Sequence, residues 1–300
     1  MSYRKNGKFD IVCIELRSVG YEDAMRKLVE LKDLTREEIF QIFELTDKVR
    51  QDEYNHFLSG KTVVLFFPSS SIRTRVTYEK GINLLGGHSV LFDSDVLEKK
   101  EKIEDVIGYL NNWADAIVVR HGDIELVKKI AKYTKVPVIN AMTKVNHPCE
   151  ILSDLYVFSK LRKNFLEEAY LYVGPSSNIG RTWKDASDLL GFSITQCCPA
   201  GYEMESINII YDIADAIRDK DIVLTDSLSK EQLQDFKDYQ ITCELMNKAN
   251  NNSLLNPCPP FFRGEEVAED VIGSKYFVGY EFKKSLIEVQ QAIIVFTMIN

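Results

Sequence analysis

The sequence has no long apolar run: nothing approaches the roughly 18 consecutive apolar residues of a membrane span. Its opening, MSYRKNGKFDIVCIEL, also has neither the apolar stretch nor the cleavage site of a secretory leader, so a cytoplasmic protein is expected. Positive charge is scarce too, with 37 Lys and Arg against 45 Asp and Glu for a net charge of -8. That excludes a general nucleic-acid binder, which needs a basic surface to neutralise phosphates. Any phosphate the chain binds must be met by a local cluster.

Cysteines are few and scattered. The six (Cys13, Cys149, Cys197, Cys198, Cys243 and Cys258) form no C-x-x-C pair, which argues against a disulfide framework or a zinc site and for reduced, structural thiols. No H-x-x-x-H and no carboxylate cluster suggests a metal. Two phosphate signatures are missing as well. There is no G-x-x-x-x-G-K-[ST], and neither Gly81, Gly86 and Gly87 nor Gly174 and Gly180 make a G-x-G-x-x-G after a strand. A nucleotide P-loop and a nicotinamide-binding fingerprint are both excluded. Internal repeats and low-complexity tracts are absent.

What is present is length, apolar content and a regular alternation. At 300 residues and 45% hydrophobic content, the chain exceeds what one core comfortably organises, so two lobes are expected. Apolar runs at 62–67, 89–92, 116–119 and 136–139 alternate with helical periodicity at 74–85, 104–113 and 123–133. The second half repeats the pattern at 169–173, 193–197, 221–225 and 253–256. Buried runs separated by crossover helices imply parallel sheets covered on both faces. The expected fold is α/β, with two doubly wound parallel-sheet lobes joined by bridging helices. One bridge is the segment from His147 to Phe158, and the final segment from Phe282 to Ile299 reads as a helix that returns to the first lobe.

Ligands of open α/β sheets bind beyond the carboxyl ends of the strands, and the polar clusters lie there. After the first run comes PSSSIRTRVTYEKGINLLGG, in which Ser69 to Ser71 can cap a helix with Tyr78, Ile82 and Leu85 on its inner face. A helix N-terminus already favours an anion through its free N–H groups. Ser71, Arg73, Thr74 and Arg75 add hydroxyls and planar guanidinium forks. Solvated arginines on a capped helix are the alternative, but placement after a buried strand favours the anion site.

Four segments in order then carry a family resemblance. Ser71-Ile72-Arg73-Thr74-Arg75 resembles the S-T-R-T-R phosphate motif of the aspartate/ornithine carbamoyltransferases. Arg120, followed by His121, stands where that family places an arginine reaching carbamoyl phosphate. His147-Pro148-Cys149-Glu150, with Ile151, Leu152, Asp154 and Leu155, resembles H-P-x-Q-x-L-x-D-L. Cys258, Pro259 and Pro260 resemble the H-C-L-P loop, with either Asn256 or Pro257 in the place of its histidine. The likeness runs from about Leu31 to the C-terminus. It implies a carbamoyl-phosphate domain over residues 1–155, to which a helix at about 283–300 returns, and an amino-acid or amine domain over 156–282.

By the same resemblance, Ser71, Ile72, Arg73, Thr74, Arg75, Arg120, His147, Glu150, Cys258 and Pro259 bind carbamoyl phosphate. Arg120, His147 and Thr74 are its carbonyl-oxygen donors. Asn178, Arg181, Asp226 and Leu228 form the second-substrate site, Asn178 on an asparagine that holds ornithine and Arg181 in a G-R-T that binds a carboxylate in aspartate enzymes. Lys99 would reach a neighbouring subunit's site in a homotrimer. No cofactor and no metal is implied, and the partners are carbamoyl phosphate and an amine. The chain departs from the family at Glu150, a carboxylate in place of glutamine, which can accept hydrogen bonds but not donate them. Either it serves as an acceptor, or the first substrate or the activity has changed. FKKS also replaces A-E-N-R before the final helix, and the second lobe mixes ornithine-type and aspartate-type features. The favoured acceptor is ornithine; the alternatives are aspartate, putrescine, an acylated ornithine, or a catalytically silent relative that binds a phosphate ligand.

Overall fold

The computed structural model describes residues 26–299. Cys13, Asn300, the N-terminal segment read for a leader and the first 25 positions of the expected first domain lie outside the described residues.

Two all-parallel sheets form the frame. The first has strands β1 (Thr62–Phe66), β2 (His88–Phe92), β3 (Ala116–Arg120) and β4 (Val138–Met142) in spatial order β2-β1-β3-β4. The second has β5 (Ala169–Val173), β6 (Ser193–Cys197), β7 (Asn208–Ile210), β8 (Ile222–Thr225) and β9 (Leu254–Pro257) in order β7-β6-β5-β8-β9. Helices α1 (Arg36–Arg50), α2 (Arg73–Leu84), α3 (Ile103–Leu110), α4 (Ile124–Tyr133) and α5 (Pro148–Leu161) accompany the first sheet. Then come α6 (Asn178–Leu190), α7 (Ile213–Ala216), α8 (Cys243–Met246), α9 (Glu269–Ile272) and α10 (Leu286–Met298). Apart from the edge strands β2 and β7, which are largely exposed or half-buried, the strands are buried runs because both sheet faces are covered. Val64, Phe66, Ile117 and Val119 pack under α3 and α4, while Val63, Leu65 and Val118 join a second cluster on the other face.

In each sheet the strand order reverses once. The chain leaves β1 for β2 on one side and returns to β3 on the other; in the second sheet β5 is flanked by β6 and β8 in the same way. Such a reversal opens a crevice at the carboxyl ends, because successive helices pass to opposite faces. The loops after β1 and β3 therefore meet, as do those after β5 and β8.

The larger apolar cluster is continuous from one sheet to the other. Leu155 and Phe158 of α5 lie in it with Tyr170 and Trp183, and Val289, Ala292, Ile293 and Phe296 of α10 join from the opposite end of the chain. Phe158 packs tilted against Phe282 at 4.9 Å and edge-on at 6.1 Å to Tyr170. Helix α10 packs against α1, α2 and α5.

The differences from the expected elements are local. Regular pairing in β4 starts at Val138, two residues late, since Pro137 has no N–H to donate; its carbonyl still accepts from Ile117 at 2.9 Å. β7 was not anticipated, being a three-residue edge strand without a buried run. The last helix begins at Leu286, and Tyr280–Ser285 form a 3₁₀ turn that aims Lys283 inward. The serines do not cap α2. Its N-cap is Ile72, with no side-chain bond to the first turn.

Candidate active site

The uncapped start of α2 is the first constituent. Four leading N–H groups of a helix have no intrahelical partner, and here no side chain closes them. Ser71, whose N–H bonds Pro68 O at 2.9 Å, is buried with its Oγ unpartnered. Arg73 is exposed beside it. Buried polar atoms are nearly always paired, so an orphaned hydroxyl beside open N–H groups and a guanidinium marks a place prepared for an anion.

Across the reversal between β1 and β3, Arg120 ends β3 and donates from its Nη1 to Thr74 Oγ1 at 2.8 Å. Burial lowers its pKa from the usual arginine value, opposed by the charge of Glu150. A guanidinium stays cationic through such a shift.

His147 enters from β4 through a tight turn. Asn146 Oδ1 takes hydrogen bonds from Thr143 Oγ1 at 2.8 Å and Asn140 Nδ2 at 2.7 Å, which fixes the backbone that delivers the imidazole. Its own N–H donates to Thr182 Oγ1 at 2.9 Å, and Pro148 starts α5 at the position where a missing N–H costs nothing. The ring is buried with Nδ1 unpartnered. Burial first, then Arg120 and Lys283, bring its pKa down to about 4, against the attraction of Glu150. The imidazole is thus neutral at physiological pH, and one ring N–H can donate.

One turn into α5, Glu150 Oε1 accepts from Lys283 Nζ at 2.7 Å, and the same ammonium reaches Asp154 Oδ1 at 2.5 Å. Asn256 of β9 donates to Asp154 Oδ2 at 2.8 Å. Burial raises the Asp154 carboxyl, Lys283 pulls it back and the Glu150 charge raises it again.

The second sheet supplies the opposite wall. Ser177 caps α6 by accepting from Gly180 N at 3.1 Å, and Tyr172 anchors the same loop through Ser177 Oγ at 2.8 Å and Pro175 O at 3.0 Å. Gly180 leaves room for that ring: a Cβ there would lie 2.5 Å from Tyr172 Cε1. Asn178 donates to Thr143 O at 2.7 Å. Asp226, after β8, accepts from Ser227 N at 2.9 Å, and burial raises its carboxyl. Cys258 is buried and its thiol is pushed well above the usual range, so it is a poor nucleophile.

These groups enclose a cavity of about 640 Å³ between the two sheets. Of the residues expected from the sequence, it brings together Ser71, Ile72, Arg73, Thr74, Arg120, His147, Glu150, Asn178, Asp226, Cys258 and Pro259. Four stand apart. Arg75 turns outward to Glu79 at 2.7 Å, the ordinary partner one turn along a helix. Arg181 spends its guanidinium on Val145 O, Ser176 O and Lys144 O at 3.1, 2.7 and 2.7 Å, so it staples two loops and does not line the cavity. Ser227 lines the wall and Leu228 does not. Lys99 is exposed after the 3₁₀ turn Ser94–Glu98. His121 points into a neighbouring hollow, bonded to Glu98 Oε1 at 2.8 Å. The residue the sequence did not reveal is Lys283, which lines the cavity. Its only signal was that FKKS and Glu150 depart from the family pattern together.

The arrangement can bind a phosphate at the α2 N-terminus, hold a carbonyl oxygen among Thr74, Arg120 and His147, and receive a cation near Asp226. Comparison with known proteins gives the same division. Residues 26–160 match the family model described as aspartate/ornithine carbamoyltransferase, carbamoyl-P binding domain; residues 167–297 match that of the Asp/Orn binding domain. The ornithine carbamoyltransferase of Chromobacterium violaceum is 32% identical over 301 residues, covering 92% of this chain and 98% of that one. That of Geobacter sulfurreducens is 32% identical over 296 residues, covering 90% and 98%. The solved ornithine carbamoyltransferase of Pyrococcus furiosus superposes with a TM-score of 0.87 at 29% identity, over 91% of this chain and 97% of that one.

Proposed function

Since the chain belongs to the aspartate/ornithine carbamoyltransferase family, we propose that it transfers the carbamoyl group of carbamoyl phosphate to ornithine, giving citrulline and phosphate. The observation that carries this is the convergence of the uncapped α2 terminus, Arg73, Arg120 and His147 on one cavity that Asp226 faces from the second sheet.

Ser71, Arg73 and the free α2 N–H groups hold the phosphate; Thr74, Arg120 and His147 hold the carbonyl oxygen. As the neutral amine attacks, negative charge grows on that oxygen, and preorganised donors stabilise it without reorganising. The new C–N bond forms, the C–O bond to phosphate breaks, and the amine proton passes to the departing phosphate. Positioning of two bound substrates is then the main work of the site, and no covalent nucleophile is required. Asn178 and Asp226 hold the acceptor, Asp226 through the α-ammonium that ornithine keeps while its neutral δ-amine attacks. The engagement of Arg181 with backbone carbonyls argues against a carboxylate side chain such as aspartate's in this place.

On this reading the first domain covers residues 1–155 and takes back the helix at about 283–300, and the second covers 156–282. The chain acts in the cytoplasm, in arginine metabolism, as a homotrimer in which Lys99 reaches the neighbouring site. Citrulline formation from carbamoyl phosphate and ornithine tests the activity. Turnover of ornithine in preference to aspartate, putrescine and N-acetylornithine is expected; turnover of another amine alone would overturn the acceptor, and no carbamoylation of any of them would overturn the reaction.

A further inference from the structure

Glu150 and Asp154 are four residues apart on α5, so their carboxyls project from one face, one turn apart. Lys283 arrives from the far end of the chain and sits between them, and Asn256 closes the cluster from β9. Two buried carboxyls thus share one ammonium. Facing Glu150 are His147 on its own helix, Arg120 from β3, Asp226 after β8, Cys258 after β9 and Lys283. Among the described residues only Lys283 forms a hydrogen bond or salt bridge with its carboxylate. It takes Oε1, and no described residue donates to Oε2, which is left to the cavity that Glu150 lines.

Burial alone would raise the Glu150 carboxyl. The charges around it, Lys283 foremost, overrule burial and hold it below the usual carboxylate range. The group is therefore an ionised acceptor, which can take hydrogen bonds and give none. A carbamoyl group offers two N–H hydrogens to such an oxygen. An acetyl group of the same shape offers a methyl, and would leave a desolvated charge unpaired.

We propose that Lys283 is a positioning residue: by pairing with Glu150 Oε1 it fixes Oε2 as the acceptor for the first substrate's NH2 group, and so selects carbamoyl phosphate over acyl phosphates such as acetyl phosphate. The proposal rests on the carbamoyl-phosphate reading of this cavity. It gives Glu150 a purpose as an anion, with Asp154 and Asn256 orienting the lysine that holds it.

The test measures the KM for carbamoyl phosphate and the inhibition constant of acetyl phosphate at saturating ornithine, in wild type, Lys283→Met, Glu150→Gln and the double variant. Lys283→Met should raise the carbamoyl-phosphate KM by about 10- to 100-fold, more than it lowers kcat, while the acetyl-phosphate constant moves by less than about threefold. The double variant should regain about tenfold, because a neutral glutamine carbonyl accepts the same hydrogen bond without needing a counterion. An unchanged selectivity ratio in Lys283→Met, or a double variant no better than the single, overturns the proposal; a merely structural lysine would shift melting temperature and leave the ratio alone. If Lys283→Met does not fold, Glu150→Ala decides: with the acceptor for the NH2 group removed, selectivity falls about tenfold, or the proposal fails. A wild type that shows no saturation by carbamoyl phosphate removes the underlying reading, an outcome distinct from any of these.

Discussion

The two walls of the cavity treat their polar groups in opposite ways. On the first-sheet side, Ser71 Oγ and His147 Nδ1 are buried without partners, α2 starts without a cap and Arg73 stands free of any ion pair among the described residues. On the second-sheet side nearly everything is spoken for: Arg181 holds three carbonyls, Tyr172 and Ser177 hold each other, and Asn178 holds Thr143 O. Leaving buried donors unpaired costs stability. A wall that bears that cost is already complete for an anion, whereas the satisfied wall shapes the space and keeps Asp226 as its charged contact.

The largest effect should come from the unpaired wall. Arg120→Ala removes the partner of Thr74 and, on the proposed reading, a carbonyl-oxygen donor, and kcat/KM should fall by about 10²- to 10³-fold; a loss under tenfold would erase the contrast. Asp226→Asn should act on the other substrate alone, raising the KM for ornithine by about 10- to 100-fold with that for carbamoyl phosphate unchanged. Equal rises in both would mean the walls are not separate.

A smaller effect is expected where groups are already satisfied. Arg181→Ala frees three carbonyls and should cost about 1–3 kcal/mol in urea unfolding, with any kinetic change confined to the acceptor. Smallest is the pH response of His147. Its pKa is depressed in the folded state, so the stability it brings is present above pH 6.5 and declines as pH falls toward about 4. Imidazole NMR should show no His147 titration near pH 6.5, and kcat/KM no limb there from this residue.

What the sequence disclosed follows the same division. The first-sheet wall is built from local signals, a strand, a polar turn and a helix start, and the meeting of Ser71, Arg73, Thr74 and His147 at one cavity was legible because neighbours in sequence are neighbours in space. The two-sheet frame was legible for the same reason, from buried runs alternating with helices. Lys283 was not, since its partner Glu150 lies 133 positions away and no local pattern foretells an ion pair of that span. Arg181 misled because the R-T pattern names a residue type, while its partners, the carbonyls of Lys144, Val145 and Ser176, are decided by how two loops pack. The serines before α2 resemble a cap, but the backbone at Ile72 is helical and carries the turn past them.

The contrast between a prepared anion wall and a satisfied acceptor wall can be measured without turnover, by calorimetric titration of carbamoyl phosphate into the protein alone, into Arg73→Ala and into Asp226→Asn. Binding to the wild type without ornithine, retained in Asp226→Asn and lost in Arg73→Ala, is the predicted result. Binding that requires ornithine to be present, or that survives in Arg73→Ala, would contradict it.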